Sequence, residues 1–330
     1  MDIQRLHTIA NRLVEPKKGI LAADESNNTC NKRFEAFGVP QTEEMRRTWR
    51  ELLLTTPDIE HFVTGVILYD ETIRQSTKKG VPFAKLLEKK GILVGIKVDE
   101  GLIPMPGSPE EYITQGLNGL PGRLMEYKSM GASFAKWRAA FKISATTPSD
   151  DAIRENAKIL ARYAKACQDE SIVPIIEPEV MLDGVHSIEK SKLVTDRVMK
   201  IVFEELPKYF VNLEGLILKT SMVISGGDAT IRADAKTVAK FTTEMLTANV
   251  PRKVAGVVFL SGGQTPDEAA NNLREIAKLE PLPWQVAFSY SRALQNDALR
   301  TWAENMTEPR LAQIAFLERL ELNSMADQGL

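Results

Sequence analysis

The amino-acid sequence predicts an α/β fold, a (β/α)₈ TIM barrel with an additional N-terminal helix. Eight short apolar runs, typical of buried strands, recur at intervals of roughly 28 to 46 residues along the 330-residue chain, and amphipathic segments lie between them. No linker or shift in composition divides the chain, so we expect residues 1–330 to form a single domain. The alternative is a doubly wound sheet, but the first run, ILAADES, lacks the glycine-rich fingerprint that would favour it.

The eight runs predict the strands in chain order. They begin near residues 19, 65, 93, 134, 173, 215, 255 and 285, and they read KGILAADE, VTGVILYDE, LVGIKVDE, FAKWRAAF, VPIIEPEV, GLILKTSM, AGVVFLSGG and QVAFSYSR. The clearest helix follows Ser149, a typical N-cap residue, because Ile153, Ala157, Leu160 and Ala164 fall on one helical face. At the N-terminus, MDIQRLHTIANRLVEPKK has apolar residues at helical spacing and predicts the additional helix.

Composition and charge argue against several classes of function. A net charge of −2 gives no basic field for nucleic acid or a membrane surface, and no run reaches the roughly 20 apolar residues of a membrane helix. The N-terminus lacks the apolar core of a signal peptide, and two cysteines fit a reducing compartment, so we expect a cytoplasmic protein. The three histidines are far apart, which predicts no metal site, and nothing indicates another cofactor.

Polar residues recur at a spacing of two where the predicted strands end. Side chains at this spacing point to the same face of a strand, and the carboxyl ends of barrel strands form the active-site face. We therefore expect cations and carboxylates to meet in the barrel mouth. The pairs are Asp24 with Ser26, Lys97 with Asp99, Lys136 with Arg138, and Glu177 with Glu179. A purely structural cluster of ion pairs is the alternative interpretation.

Two loops predict a phosphate site. FLSGGQT, after the seventh run, contains Ser261, Gly262 and Gly263, and adjacent glycines let backbone N–H groups approach an anion. SYSR, at the end of the eighth run, contains Ser289, Ser291 and Arg292. Barrels often bind phosphate between these two loops, and arginine offers a forked donor. A competing glycine pair, in SGGDAT at residues 225–230, lies farther from its strand and is interpreted as a plain loop.

The stretch EGLILKTSMV contains a lysine, Lys219, inside an apolar run. Burial of an unpaired ammonium is costly, but a buried lysine can become a neutral, nucleophilic amine. Such an amine suits imine formation with a carbonyl compound. Lys97, Lys136 and Lys219 are all candidates for this role, and spacing alone does not choose among them.

Several segments together resemble the class I fructose-1,6-bisphosphate aldolases. GILAADES, GIKVDEG, FAKWR, PIIEPEV, LILKTSMV, FLSGGQ and FSYSRALQ are similar to segments of that family and occur in the same order. The resemblance extends over nearly the whole chain, to about ELNSMADQG. It implies reversible cleavage of fructose 1,6-bisphosphate into dihydroxyacetone phosphate and glyceraldehyde 3-phosphate, with sedoheptulose 1,7-bisphosphate as a further substrate and a homotetramer as the assembly.

The resemblance also implies roles for individual residues. Lys219 would form the Schiff base with C2 of the sugar, Glu177 would be the general acid and base, and Lys136 would assist proton transfer. Asp24 would take the proton of the C4 hydroxyl, and Glu179 would help to hold the group together. For the C1 phosphate the matching residues are Ser261, Gly262, Gly263, Ser291 and Arg292, with Ser289 beside them; for the C6 phosphate they are Ser26, Thr29, Arg33 and Lys97, with Arg46 and Arg138 as weaker matches.

The chain departs from the family at two points. Position 291 is serine where many members have glycine or alanine, a change that a backbone N–H contact would tolerate. The family also has a tail that ends in tyrosine and helps to transfer the C3 proton, whereas no tyrosine follows Tyr290 here. Either the tail is missing from this sequence, or the protein handles that proton differently, so that cleavage persists while proton exchange at C3 slows. Two alternatives to this function are an imine-forming aldolase for another phosphorylated sugar and a non-catalytic interaction protein.

Overall fold

Eight parallel strands form a barrel in the computed structural model, which describes residues 1–330. The strands are hydrogen-bonded in the order β1 (Gly19–Ala23), β2 (Val63–Leu68), β3 (Leu93–Lys97), β6 (Ala132–Phe141), β7 (Val173–Val180), β8 (Ile217–Thr220), β9 (Gly256–Phe259) and β10 (Gln285–Phe288). Each strand coincides with one of the eight apolar runs. β1 and β10 lie side by side, where the N–H of Ala22 donates to the carbonyl of Tyr290 at 3.0 Å. The predicted barrel is confirmed, and the doubly wound sheet is ruled out.

Twelve α-helices accompany the barrel. They are α1 (Ile3–Leu13), α2 (Asn27–Glu35), α3 (Glu43–Leu54), α4 (Asp70–Ile73), α5 (Phe83–Lys89), α6 (Leu120–Ser129), α7 (Asp150–Asp169), α8 (Ile188–Glu205), α9 (Ala235–Asn249), α10 (Pro266–Ala277), α11 (Arg292–Glu304) and α12 (Pro309–Ala326). Short 3₁₀ turns occupy Ile59–His61, Leu206–Tyr209 and Leu213–Gly215. None of these helices combines the length and apolarity needed to cross a bilayer.

The helix predicted after Ser149 is α7. The Ser149 hydroxyl accepts a hydrogen bond from the N–H of Ala152 at 3.2 Å, and Asp150 and Asp151 occupy the first turn. Both features stabilise a helix start, because they satisfy a free N–H group and complement the positive end of the helix dipole. The buried residues of α7 include Ile153, as the spacing predicts.

The interior of the barrel is filled at its amino-terminal end. Leu6, Ala10 and Leu13 of α1 pack there with inward-facing strand residues such as Ile67 and Phe134. This is the additional N-terminal helix that the sequence predicts. A second, larger core of 80 buried residues lies mainly between the strands and the surrounding helices. With one end closed by apolar packing, the interior opens only at the carboxyl ends of the strands.

An unpredicted hairpin interrupts the alternation of strands and helices. β4 (Leu102–Met105) and β5 (Ser108–Thr114) form a separate antiparallel pair between β3 and β6. Glu111 of this hairpin is buried and accepts hydrogen bonds from the N–H of Ser149 at 2.6 Å and from its hydroxyl at 2.7 Å. This contact fixes the hairpin against the start of α7.

Candidate active site

A cavity of about 1050 Å³ opens at the carboxyl ends of the strands. Most of the residues singled out from the sequence line it: Asp24, Ser26, Thr29, Lys97, Lys136, Arg138, Glu177, Glu179, Lys219, Ser261, Gly262, Ser289, Ser291 and Arg292. Gly263, Arg33 and Arg46 are not among the lining residues. Side chains from seven different strands or strand ends therefore share one enclosed space.

Two lysines and two carboxylates form a continuous cluster in this cavity. The Nζ of Lys136 lies 2.8 Å from Oδ2 of Asp24 and 3.1 Å from Oε2 of Glu177. The other oxygen of Glu177, Oε1, lies 3.4 Å from the Nζ of Lys219. All four side chains are buried. Glu177 thus stands between two ammonium groups, and Lys136 connects it to Asp24.

The register of neighbouring strands brings these groups together. Arg138 of β6 is paired with Glu177 of β7, and Lys136 precedes Arg138 by two residues, so both cations point into the cavity. The Nε of Arg138 forms an ion pair with Glu179, the next inward residue of β7. The period-two spacing in the sequence therefore corresponds to two adjacent layers of charge.

The charges shift one another's pKa values strongly. Burial alone would raise the pKa of Asp24, but the positive charges of Lys136 and Lys219 outweigh it and lower the value to about 2. Burial would likewise raise the pKa of Glu177, yet Lys136, Lys219 and Arg138 hold it below its usual value. Burial disfavours the charge of Lys136, but Asp24 and Glu177 raise its pKa above normal. Near neutral pH the cluster contains two carboxylates bridged by an ammonium.

A glycine turn and a helix start adjoin each other at one side of the cavity. Gly262 and Gly263, after β9, have φ angles of +55° and +94°, a left-handed conformation that glycine adopts without strain. A methyl group on Gly263 would lie 3.8 Å from Nη2 of Arg292, so this turn adjoins the first residue of α11. The hydroxyl of Ser289 is buried in the lining and has no hydrogen-bond partner in the protein. Helix N-termini with such neighbours attract phosphate.

A second polar group lies at the ends of β1 and β3. Ser26 caps the N-terminus of α2, and its hydroxyl lies 3.1 Å from that of Thr29. The Nζ of Lys97 contacts the carbonyl of Asp99 at 2.7 Å and its Oδ1 at 2.6 Å. The Lys97 ammonium also lies 6.0 Å from the centre of the Tyr69 ring, within the range of a cation–π contact.

The two remaining arginines bind other protein groups. Arg33 forms an ion pair with Glu25 and donates to Gln295 at 3.2 Å. Arg46 donates to both oxygens of Glu71, at 2.8 and 2.7 Å. Both guanidinium groups are therefore engaged before any ligand binds, a fact that their positions in the sequence do not reveal.

The competing glycine pair, Gly226 and Gly227, lies where two loops pack against each other. The N–H of Gly226 donates to the carbonyl of His186 at 2.8 Å, and a methyl group on Gly226 would lie only 2.2 Å from the carbonyl oxygen of Gly184. Glycine is required there because the loops after β7 and β8 touch. Neither Gly226 nor Gly227 lines the cavity.

Several lining residues were not singled out from the sequence. Tyr69 and Asp70 directly follow β2, so the rule that strand ends carry the site would have found them. No such signal marks Arg74, directly after α4, or Arg123, within α6. The other unpredicted lining residues include Glu25, Asn28, Glu100, Glu126 and Tyr127. No three side chains of the histidine, cysteine, aspartate or glutamate type are grouped so that they could hold a metal ion.

Comparison with known proteins gives one consistent result. A family model described as "Glycolytic: Fructose-bisphosphate aldolase class-I" matches residues 5–330. A probable fructose-bisphosphate aldolase class 1 from Xanthomonas campestris pv. campestris is 48% identical, with 100% of this chain and 99% of that protein covered. Fructose-bisphosphate aldolase C-A from Danio rerio is 47% identical, with 99% of this chain and 90% of that protein covered.

A solved structure agrees with the barrel over almost its full length. It is the fructose-bisphosphate aldolase from Plasmodium falciparum in complex with TRAP and a small-molecule inhibitor, with a TM-score of 0.97 and 44% identity. The alignment covers 99% of this chain and 94% of that one. The chain is thus a carbon–carbon lyase that cleaves fructose bisphosphate, and it belongs to the class I fructose-bisphosphate aldolase family.

Proposed function

We propose that this protein cleaves fructose 1,6-bisphosphate reversibly through an imine between Lys219 and C2 of the sugar. The observation that carries this proposal is the contact of the buried Lys219 with Glu177, 3.4 Å from Nζ to Oε1. A lysine beside a carboxylate can pass on its proton and then attack a carbonyl carbon as a free amine. The other two lysines have further partners. Lys136 is paired with Asp24 as well as Glu177, and Lys97 is paired with Asp99.

Proton transfers of imine formation can be assigned to Glu177. In the first step Lys219 gives a proton to Glu177, and its free electron pair forms the bond to C2 as the C2–O π bond breaks; the oxygen becomes a hydroxyl by taking a second proton from the same nitrogen. Glu177 then returns its proton to that hydroxyl, which leaves as water and yields the iminium. Lys136, 3.1 Å from Oε2 of Glu177, stabilises the carboxylate of Glu177 before it accepts the proton and after it returns it.

Asp24 is the proposed base for bond cleavage. It removes the proton of the C4 hydroxyl, the C3–C4 electron pair moves into the iminium, and the aldehyde product leaves an enamine on Lys219. Protonation at C3 and hydrolysis then release dihydroxyacetone phosphate. The pKa of Asp24, about 2, keeps this carboxylate ionised and able to accept a proton. Arg138, paired with Glu179, contributes positive charge at the edge of the cluster.

The two phosphates of the substrate are assigned to the two polar regions. Ser261, Gly262, Gly263, Ser289, Ser291 and Arg292 would bind the C1 phosphate, and Ser26, Thr29 and Lys97 the C6 phosphate. The side chain of Arg33 is only 12% exposed and is paired with Glu25. It would therefore attract the phosphate through its charge rather than by direct contact. We leave Arg46 out of the proposed site because Glu71 occupies its donors.

The size of the cavity supports a second substrate. Its volume of about 1050 Å³ stands at the upper end of typical ligand sites, which leaves room for a ketose one carbon longer. We infer that sedoheptulose 1,7-bisphosphate is also cleaved. Measurement of kcat/KM for both bisphosphates tests this inference, and no turnover of the longer sugar under conditions of full fructose bisphosphate cleavage would contradict it.

Borohydride trapping tests the imine directly. Reduction in the presence of dihydroxyacetone phosphate, followed by peptide mapping, should give one stable adduct, on Lys219. Glycerol 3-phosphate, which has no carbonyl group, is the matched control and should give none. An adduct on Lys97 or Lys136 instead of Lys219 would overturn the assignment.

A further inference from the structure

Ser291 precedes α11 as its N-cap residue but does not cap the helix. Its side chain makes no hydrogen bond to the first turn, and its backbone angles, φ −107° and ψ −84°, differ from those of the capping serines elsewhere in the chain. Instead its hydroxyl donates to Oε1 of Glu25 at 2.6 Å and accepts a hydrogen bond from the side-chain amide of Gln295 at 3.2 Å.

Glu25 is a fixed, buried acceptor. Its Oε2 lies 2.7 Å from Nη2 of Arg50, and Arg33 pairs with its other oxygen. Burial would raise the pKa of Glu25, but Arg50 and Arg33 lower it below its usual value, so the carboxylate is ionised. An ionised carboxylate only accepts hydrogen bonds, which makes the Ser291 hydroxyl the donor.

The same contacts hold the start of α11 against the end of β1. The side-chain amide of Gln295, one turn into α11, also donates to the carbonyl of Ala22 at 2.8 Å. Between β10 and β1 the regular ladder is absent, and one backbone bond, from Ala22 to Tyr290, joins them. The hydrogen bonds of Ser291, Gln295 and Glu25 therefore set where the first turn of α11 lies relative to Asp24 and Ser26.

The diverted hydroxyl leaves first-turn amides free. A capping serine would accept from the N–H of the second or third helical residue, as Ser187 does for Lys190 at the start of α8. In α11 the second residue is Ala293, whose N–H has no acceptor within the helix; the third, Leu294, donates to the carbonyl of Ser291 at 3.1 Å. The N–H of Arg292, the first residue, is free in any case. Both Ser291 and Arg292 line the cavity.

We propose that Glu25 and Ser291 act as a positioning pair, which holds the start of α11 open and in place for the C1 phosphate of the ketose. The proposal rests on the phosphate assignment of the proposed function. Its chemistry is a hydrogen bond from a neutral donor to a charged acceptor, a contact of above-average strength. The phosphate is remote from the bond that breaks, so a loosened site weakens binding of substrate and transition state alike.

The test is the substitution Ser291→Ala, with Ser291→Gly as a second variant that removes the same hydroxyl. We expect KM for fructose 1,6-bisphosphate to rise about tenfold, with the loss in KM rather than kcat. The dissociation constant of inorganic phosphate, measured by calorimetry, should rise by a similar factor. Ser291→Thr keeps the hydroxyl and should restore both values.

The matched control is Ser187→Ala, which removes a serine that does cap its helix. It should lower the midpoint of thermal unfolding and leave KM and phosphate binding unchanged. If Glu25 acts through Ser291, the single variant Glu25→Gln should raise KM. Combined with Ser291→Ala, it should raise KM little beyond the effect of Ser291→Ala itself. Additive effects of the two substitutions would overturn the pairing.

The outcomes separate this inference from the proposed function. If dihydroxyacetone phosphate is trapped on Lys219 of the unaltered protein but Ser291→Ala and Ser291→Gly keep normal KM and phosphate binding, the positioning pair is wrong and the imine stands. If phosphate binding weakens in both variants but no adduct forms on Lys219, the positioning pair stands and the proposed chemistry fails.

Discussion

Glu177 contacts Lys219 with one oxygen, 3.4 Å from Nζ, and its second oxygen faces Lys136. The two lysines therefore differ in their partners. Lys136 is shared between two carboxylates, which raise its pKa, whereas Lys219 has one carboxylate beside it, Glu177. The contacts thus distinguish Lys136 from Lys219, which the sequence pattern did not.

Lys219→Arg should abolish turnover. A guanidinium stays protonated at neutral pH and cannot form the imine, and loss of a covalent nucleophile removes most of the rate enhancement. We expect kcat to fall by at least about 10³-fold in a coupled assay of aldol cleavage. Lys142→Arg, at an exposed lysine after β6, is the control and should keep full activity. Substantial cleavage by the Lys219 variant would contradict imine catalysis.

Removal of metal ions should leave activity unchanged. In the proposed route the iminium accepts the electrons of the breaking bond, and protein groups move every proton. Dialysis against EDTA should therefore give the same kcat/KM as the untreated protein. Loss of cleavage that returns on addition of Zn²⁺ would indicate that a metal ion polarises the carbonyl instead.

Asp24 should make the fold sensitive to acid. Its pKa is about 2 in the folded protein against 3.8 for the free side chain, so its contribution is present above pH 3.8 and is lost as pH falls through about 2. The contribution is about 2 kcal/mol. Denaturant unfolding between pH 5 and 2 should show a shallower loss of stability for Asp24→Asn. Asp58→Asn, at an exposed position, should follow the unaltered protein. If the free energy of unfolding depends on pH in the same way for all three proteins, the lowered pKa of Asp24 is contradicted.

Asp327, after α12, should make the folded protein less stable as pH rises, the reverse of the effect of Asp24. Burial raises its pKa to about 7, although the N–H of Lys17 donates to Oδ2 at 3.2 Å, and Oδ1 has no partner. Because the folded state binds this proton more tightly, the free energy of unfolding falls as pH rises from about 4 to 7. Asp327→Asn should remove this fall, a gain of at most about 4 kcal/mol at pH 8. No gain at pH 8, relative to Asp58→Asn, would contradict it.

Gly95 should be essential for packing inside the barrel. A methyl group there would lie 2.2 Å from Cε2 of Phe134, in the core that closes the amino-terminal end. Gly95→Ala should lower the free energy of unfolding by about 1–3 kcal/mol or more. Gly122→Ala, in α6 with nothing within 4 Å of the added methyl, should instead be neutral or stabilising. If the two substitutions change the midpoint of thermal unfolding equally, the neighbouring Phe134 ring moves aside and the predicted clash is wrong.

The strands were predictable because each is a short apolar run with a polar end. The β4–β5 hairpin was not, because Pro104 and Pro109 interrupt it and much of it is exposed, so no apolar alternation marks it. Its buried charge, Glu111, binds Ser149, more than 30 residues away along the chain. Such a long-range contact leaves no local pattern.

The cavity was predictable where its residues come from strand ends. Arg46 could be proposed as a phosphate ligand from the sequence, but its contact with Glu71 could not be predicted. That bidentate contact depends on how α3 packs beside α4. The diversion of Ser291 toward Glu25 is hidden for the same reason, because the two residues are 266 positions apart. Assembly as a homotetramer and a cytoplasmic location stay predictions.

The seam between β1 and β10 joins parts of the cavity that lie far apart along the chain. Asp24, on one side of the seam, is synthesised well before Arg292, on the opposite side. At typical rates of translation the nascent chain waits roughly 15 to 50 s before its two ends can meet. Until then the lysines already made have no finished pocket around them. The cavity is therefore complete only once the barrel has closed.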